Sequence, residues 1–171
     1  MRFPPSSHDY QGWLSQFART HRWYKKIKSH QAETRSHGLS GEAEDCIYAF
    51  FQNCFHLREW IEKSKVISKP DIDSFISGHQ ELRICRDICN GTKHMVIDRP
   101  SVSADISTYR EYDWLSVPSG QPEARGTTTF RILIGGAKYD MFDLADRCMD
   151  AWLQLLQERR LITKANESKP A

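Results

Sequence analysis

The fold is decided by residues 40–64, SGEAEDCIYAFFQNCFHLREWIEKS. Ser40 is a natural N-cap, and Glu42, Glu44 and Asp45 place negative charge in the first turns, where the helix dipole favours it. Ala43, Ile47, Phe50, Cys54, Leu57 and Ile61 then recur every three or four residues, and Phe51 and Phe55 widen the stripe. That spacing predicts a helix over 40–64 with a broad apolar face. A helix apolar over so wide an arc needs partners on several sides, which puts it at the centre of the core.

Residues on either side supply those partners. Tyr10, Trp13, Leu14, Phe17, Tyr24 and Ile27 fit a helix over 9–37, ended by Ser36-His37-Gly38. Residues 1–8, with Pro4-Pro5 and Ser6-Ser7, read as an irregular lead-in. Pro70-Asp71 opens a third helix, 71–91, because proline is tolerated in a first turn. Its apolar arc is Phe75, Leu82, Cys85, Ile88 and Cys89. The opposite stripe holds His79, Arg83, Arg86 or Asp87, and Asn90. Beyond Asp98-Arg99-Pro100 the pattern changes. Residues 106–117 and 127–134 are rich in aromatic and β-branched side chains and read as strands. Gly135-Gly136 is a tight turn into a short third strand. A last helix covers 143–161, with Ala145, Cys148, Met149, Trp152, Leu155 and Leu156 inside, and 162–171 is a flexible polar tail. The expectation is a mainly α fold in a single domain, 1–171. It is a four-helix antiparallel bundle with a small antiparallel β-meander, 104–142, inserted before the last helix.

Composition narrows the functional classes. No apolar run approaches the roughly 20 residues that span a bilayer, and the first residues lack the apolar centre of a secretory signal. A cytoplasmic protein without membrane association is expected. The five cysteines, Cys46, Cys54, Cys85, Cys89 and Cys148, are odd in number, form no CxxC and sit among apolar neighbours. They read as buried reduced thiols and not as disulfides or a zinc knuckle. His56, Glu59 and His79 could meet across two helices, but surface packing accounts for them. The sequence has no HExxH, HxxxH, GxxxxGK[ST] or GxGxxG, so no metal or nucleotide cofactor is expected.

Two stretches carry candidate chemistry. Residues 86–94, RDICNGTKH, end a helix in Asn-Gly and then present Lys93 and His94. Short links make successive helices antiparallel, which places this end beside the start of the second helix. Asn90, Lys93 and His94 are therefore expected near His37, Glu42, Asp45 and either Asp140 or Asp143, as a cluster of titratable groups. The second stretch is basic: Arg19, Arg22, Lys25, Lys26 and Lys28 fall among Trp23 and Tyr24 with no acid between. Cations with an off-stripe Trp23 suit a nucleic-acid backbone and a stacked base.

A helical core with a polar helix ending in Asn90-Gly-Thr-Lys-His94 resembles the HEPN superfamily (higher eukaryotes and prokaryotes nucleotide-binding domains). Many of its members are RNases of toxin–antitoxin, phage-defence and CRISPR systems; others are non-catalytic. The family motif is an Arg, usually followed by Asn, His or Asp, with a His four to six residues on. The Asn-xxx-His spacing is met here. Cys89 stands where the Arg would be, and Arg86 has seven residues between it and His94. The resemblance implies metal-independent RNA cleavage. His94 would be the general acid/base, Arg86 or Lys93 would stabilise the developing charge, and Asn90 would orient the imidazole or a phosphate oxygen. It also implies a homodimer and an antitoxin or other protein partner. The alternative is a non-catalytic helical module that binds a protein or nucleic acid.

Overall fold

The computed structural model describes residues 12–92, 100–102, 106–114 and 126–162. The lead-in, Tyr10, Lys93, His94, the loop after residue 114 and the polar tail from 163 lie outside the described residues. The elements run α1 (Gly12–His37), α2 (Gly41–Lys63), α3 (Lys69–Gly78), α4 (Gln80–Gly91), β1 (Ile106–Trp114), β2 (Gly126–Ile134), β3 (Ala137–Asp140) and α5 (Met141–Glu158). The fold is mostly helical with a small antiparallel sheet of order β1-β2-β3.

The central helix forms as its sequence predicts. Ser40 caps α2 by accepting from the Ala43 amide, and Ala43, Cys46, Ile47, Phe50, Phe51, Cys54, Leu57 and Ile61 are all buried along it. α1 packs along one flank of α2 through an unexpected polar seam. Gln16 and Thr20 are buried, and both donate to the Asn53 carbonyl, at 2.9 and 3.0 Å. Trp13 and Ile27 are buried beside them, whereas Leu14, Phe17 and Tyr24 are only partly covered. The side chains that seat α1 deepest are therefore not all apolar.

The expected helix over 71–91 is two helices. α3 stops at Gly78, and His79 takes an extended conformation, φ −114° and ψ 104°. Gly78 is a weak helix former, and the His79 ring holds the break in place. It stacks on Phe75 with centroids 3.9 Å apart, and its Nδ1 lies 2.7 Å from the Phe75 carbonyl oxygen. His79 thus helps to close α3.

The meander matches its sequence signals. β1 pairs with β2 from Ile106 opposite Ile134 to Trp114 opposite Gly126. Gly135 and Gly136 have φ of 54° and 83°, the double positive φ of a type I′ turn, which side-chain-bearing residues rarely adopt. Phe130, Ile132 and Ile134 on β2 reach the helical core, so one sheet face is buried. Asp140 begins α5 earlier than the expected 143, accepting from the Phe142 and Asp143 amides at 2.8 and 3.1 Å. The expected core stripe of α5 is buried throughout, from Ala145 to Leu156. No helix among the described residues is long and apolar enough to cross a membrane.

Candidate functional site

Arg86 and Asn90 are four residues apart on α4 and so share one stripe of its surface. Together with Phe55 and Arg58 of α2 and Asp73, Ile76 and Ser77 of α3 they line a groove of about 430 Å³. The extended residue His79 redirects the chain, so α3 forms a wall of this groove instead of prolonging α4. Arg58 pairs with Asp73 at 2.6 Å and with Glu62 at 3.2 Å, and Lys69 pairs with Asp73 at 2.7 Å. The Lys69 hydrogen bond holds the Asp73 carboxyl below its usual range; burial opposes this and Arg58 assists. Two cations and two carboxylates therefore cancel on that wall. Arg86 is exposed, and no acid among the described residues pairs with it. One uncompensated guanidinium with an amide a turn away offers fork-like donors to a phosphate.

The chain beyond Asn90 is anchored at both ends. Thr92 closes α4: its hydroxyl donates to the Cys89 carbonyl at 2.8 Å and accepts from Gln52 at 2.9 Å. On the return side, Asp87 accepts from the Ser101 amide through both carboxylate oxygens, each at 2.8 Å, and from the Val102 amide at 3.0 Å. Asp87 is fully buried. An acid in an apolar interior needs such donors, and here they are backbone amides on the far side of the 93–99 segment. Asp87 therefore fixes where the segment carrying Lys93 and His94 rejoins the core.

The expected convergence at the start of α2 is not formed by Asn90. Thr92 meets α2 at Gln52, ten residues beyond Glu42, or about 15 Å along a helix axis. Glu44 instead pairs with Arg110 of β1, and Asp140 caps α5. The antiparallel map therefore does not hold for Asn90 and Thr92, which meet α2 beyond its first turns.

The basic segment of α1 lies elsewhere. Asn53, which meets α1, and Arg58, which lines the groove, point to opposite flanks of α2 at 100° per residue. Arg22, Lys25 and Lys26 are exposed and form one stripe at i, i+3 and i+4. The others are engaged within the fold. Arg19 donates to Gln16 at 2.9 Å and lies 5.9 Å from the Trp60 ring centre. Lys28 pairs with Asp146 at 2.9 Å, and Tyr24 donates to the same carboxylate at 2.8 Å. Trp23 is not a bare platform: it packs partly against the core, and the Lys26 ammonium sits 4.7 Å above its ring. His21 stacks between Phe17 and Tyr24; burial, then Lys25, lowers its pKa.

Sequence reasoning missed two features. The helical spacing puts Asp87 on a polar stripe, whereas its partners lie fourteen and fifteen residues away, with no local signal to reveal them. The meeting of Cys54, Cys85 and Cys148 from three separate helices depends on their packing. No protein-family model, curated protein or solved structure matches the chain.

Proposed function

We propose that the chain is a HEPN-like RNA-acting domain, a metal-independent endoribonuclease whose phosphate contact is the Arg86–Asn90 side of α4. The supporting observation is that these two residues line one groove, in which every other cation already has an acid. In this reading α3 and α4 count as one interrupted member of a four-helix antiparallel bundle. Arg86 stabilises the charge that develops on phosphorus, and Asn90 orients a phosphate oxygen. His94, a few residues beyond the groove, moves the proton of the attacking 2′-hydroxyl, with Lys93 beside it. Arg22, Lys25 and Lys26 hold the RNA backbone at a second surface. A homodimer would bring two such motifs together, and an antitoxin or other protein partner would restrain them.

The test is RNA cleavage by the full chain, with and without EDTA. Cleavage that resists EDTA and falls about 100-fold or more in His94→Ala supports the reading. Cleavage that EDTA abolishes, or that His94→Ala leaves intact, overturns it. The departure at Cys89 from the family's Arg favours a second reading, a non-catalytic RNA-binding module. Binding with no cleavage under either condition would select that one.

A further inference from the structure

α2, α4 and α5 each deliver one thiol to a common point. Cys54, Cys85 and Cys148 have no exposed surface, and their sulfur atoms all lie within 4.8 Å of one another. Cys46 and Cys89, equally buried by class, stay outside this cluster. Small apolar packing explains a buried cysteine, but it does not require three sulfurs from three helices to converge.

The spacing suits a metal ion. A metal–thiolate bond is about 2.3 Å, so three sulfurs around an ion in their plane stand about 4 Å apart. The triad reaches that distance by contracting less than about 1 Å. No His or carboxylate among the described residues joins the cluster. Structural zinc almost always takes four donors, whereas soft thiolates select monovalent copper.

A second observation is the Trp152 indole. Its Nε1–H is enclosed and has no conventional hydrogen-bond partner among the described residues; a buried orphan donor of this kind calls for an explanation. It lies beside Cys54. Trp152 also follows Cys148 by four residues on α5, so its ring shares that helix face with one of the three thiols. An enclosed, unpartnered N–H beside the sulfurs is placed to donate to a thiolate ligand.

We propose that Cys54, Cys85 and Cys148 form a closed three-sulfur site for Cu(I), with the Trp152 indole donating to the ligand set. On binding, each S–H gives its proton to solvent as an S–Cu bond forms, with no change in oxidation state at sulfur or copper. Cys85 and Cys148 release the carbonyls of Phe51 and Glu81, which their thiols now meet at 3.4 and 3.3 Å. The site is independent of the groove and of any action on RNA.

The test titrates the reduced full chain with Cu(I) anaerobically against a competing chelator, and reads the copper shell by X-ray absorption. The expected result is one copper per chain with three sulfurs at a single distance. Cys46→Ala keeps that stoichiometry, Cys54→Ala loses it, and Trp152→Phe weakens binding about tenfold or more. The wild-type absorption spectrum needs no core variant to fold. Failure to bind one equivalent, a shell containing nitrogen or oxygen, or displacement by zinc with a fourth donor would overturn the assignment.

Discussion

The two sides of α4 are held by opposite physics. On its inner side Leu82, Ile84, Cys85 and Ile88 are buried among α2 and α5, and Asp87 is buried with them because backbone amides surround its carboxylate. On its outer side Arg86 is exposed and Asn90 half-buried, over a groove whose remaining charges cancel. The inner side is defined by what each residue touches. The outer side is defined by what Arg86 lacks among the described residues, a pairing acid. Removing an inner residue should therefore cost stability, and removing an outer one should cost only the interaction with a ligand.

The largest effects separating the two sides are expected at Asp87 and Leu82. Asp87→Ala leaves the Ser101 and Val102 amides without an acceptor and a void beneath them. A loss of about 3 kcal/mol is predicted in urea unfolding. Leu82→Ala, with no polar group involved, should cost about 2–5 kcal/mol, depending on how far the site collapses. A loss under 1 kcal/mol for both would mean that the inner side does not carry the fold.

Smaller effects belong to the outer side. Asp73→Asn should cost under about 1 kcal/mol at pH 7, because the Arg58 and Lys69 pairs are largely solvated. The sign of its pH dependence follows from the lowered carboxyl. The unfolded chain binds the proton first, so the contribution of Asp73 is complete above about pH 4 and is lost as pH falls through the lower folded value. The difference between wild type and Asp73→Asn should accordingly persist in melts at pH 5 and shrink as the pH is lowered below about 4. Replacing Arg22, Lys25 and Lys26 together with Ala should leave the melting temperature within a few degrees. The slope of log RNA affinity against log salt should drop by about 2, since a single strand loses roughly 0.7 per contact removed. An unchanged slope would separate α1 from RNA altogether.

How much of this was legible in the sequence follows the same division. α2 and α5 can be read because burial repeats every three to four residues, and the β2–β3 turn because glycine most readily takes two successive positive φ angles. The break at His79 was not read. Ser77-Gly78 was its only local sign, and the Phe75–His79 stacking that holds it is a tertiary outcome. Gln16 and Thr20 escape a periodicity argument, which counts apolar residues and has no means to find a buried polar seam. Asp87 was placed with the solvated residues for the same reason, as acids are rarely buried without partners. At the candidate site, the pairing of Arg86 with Asn90 follows from i,i+4 spacing. The facing wall of Arg58, Asp73 and Ser77 does not, because it depends on how α3 folds back.

The central claim is that the outer side of α4 meets RNA while its inner side only holds the fold. The most direct measurement is RNA affinity at fixed salt for Arg86→Ala beside wild type, with melting temperature recorded on the same samples. Affinity should fall about tenfold, with melting shifted by no more than a few degrees, as expected when a charged phosphate contact is lost from an exposed position. Unchanged affinity, or a fall matched by unfolding, would contradict the claim.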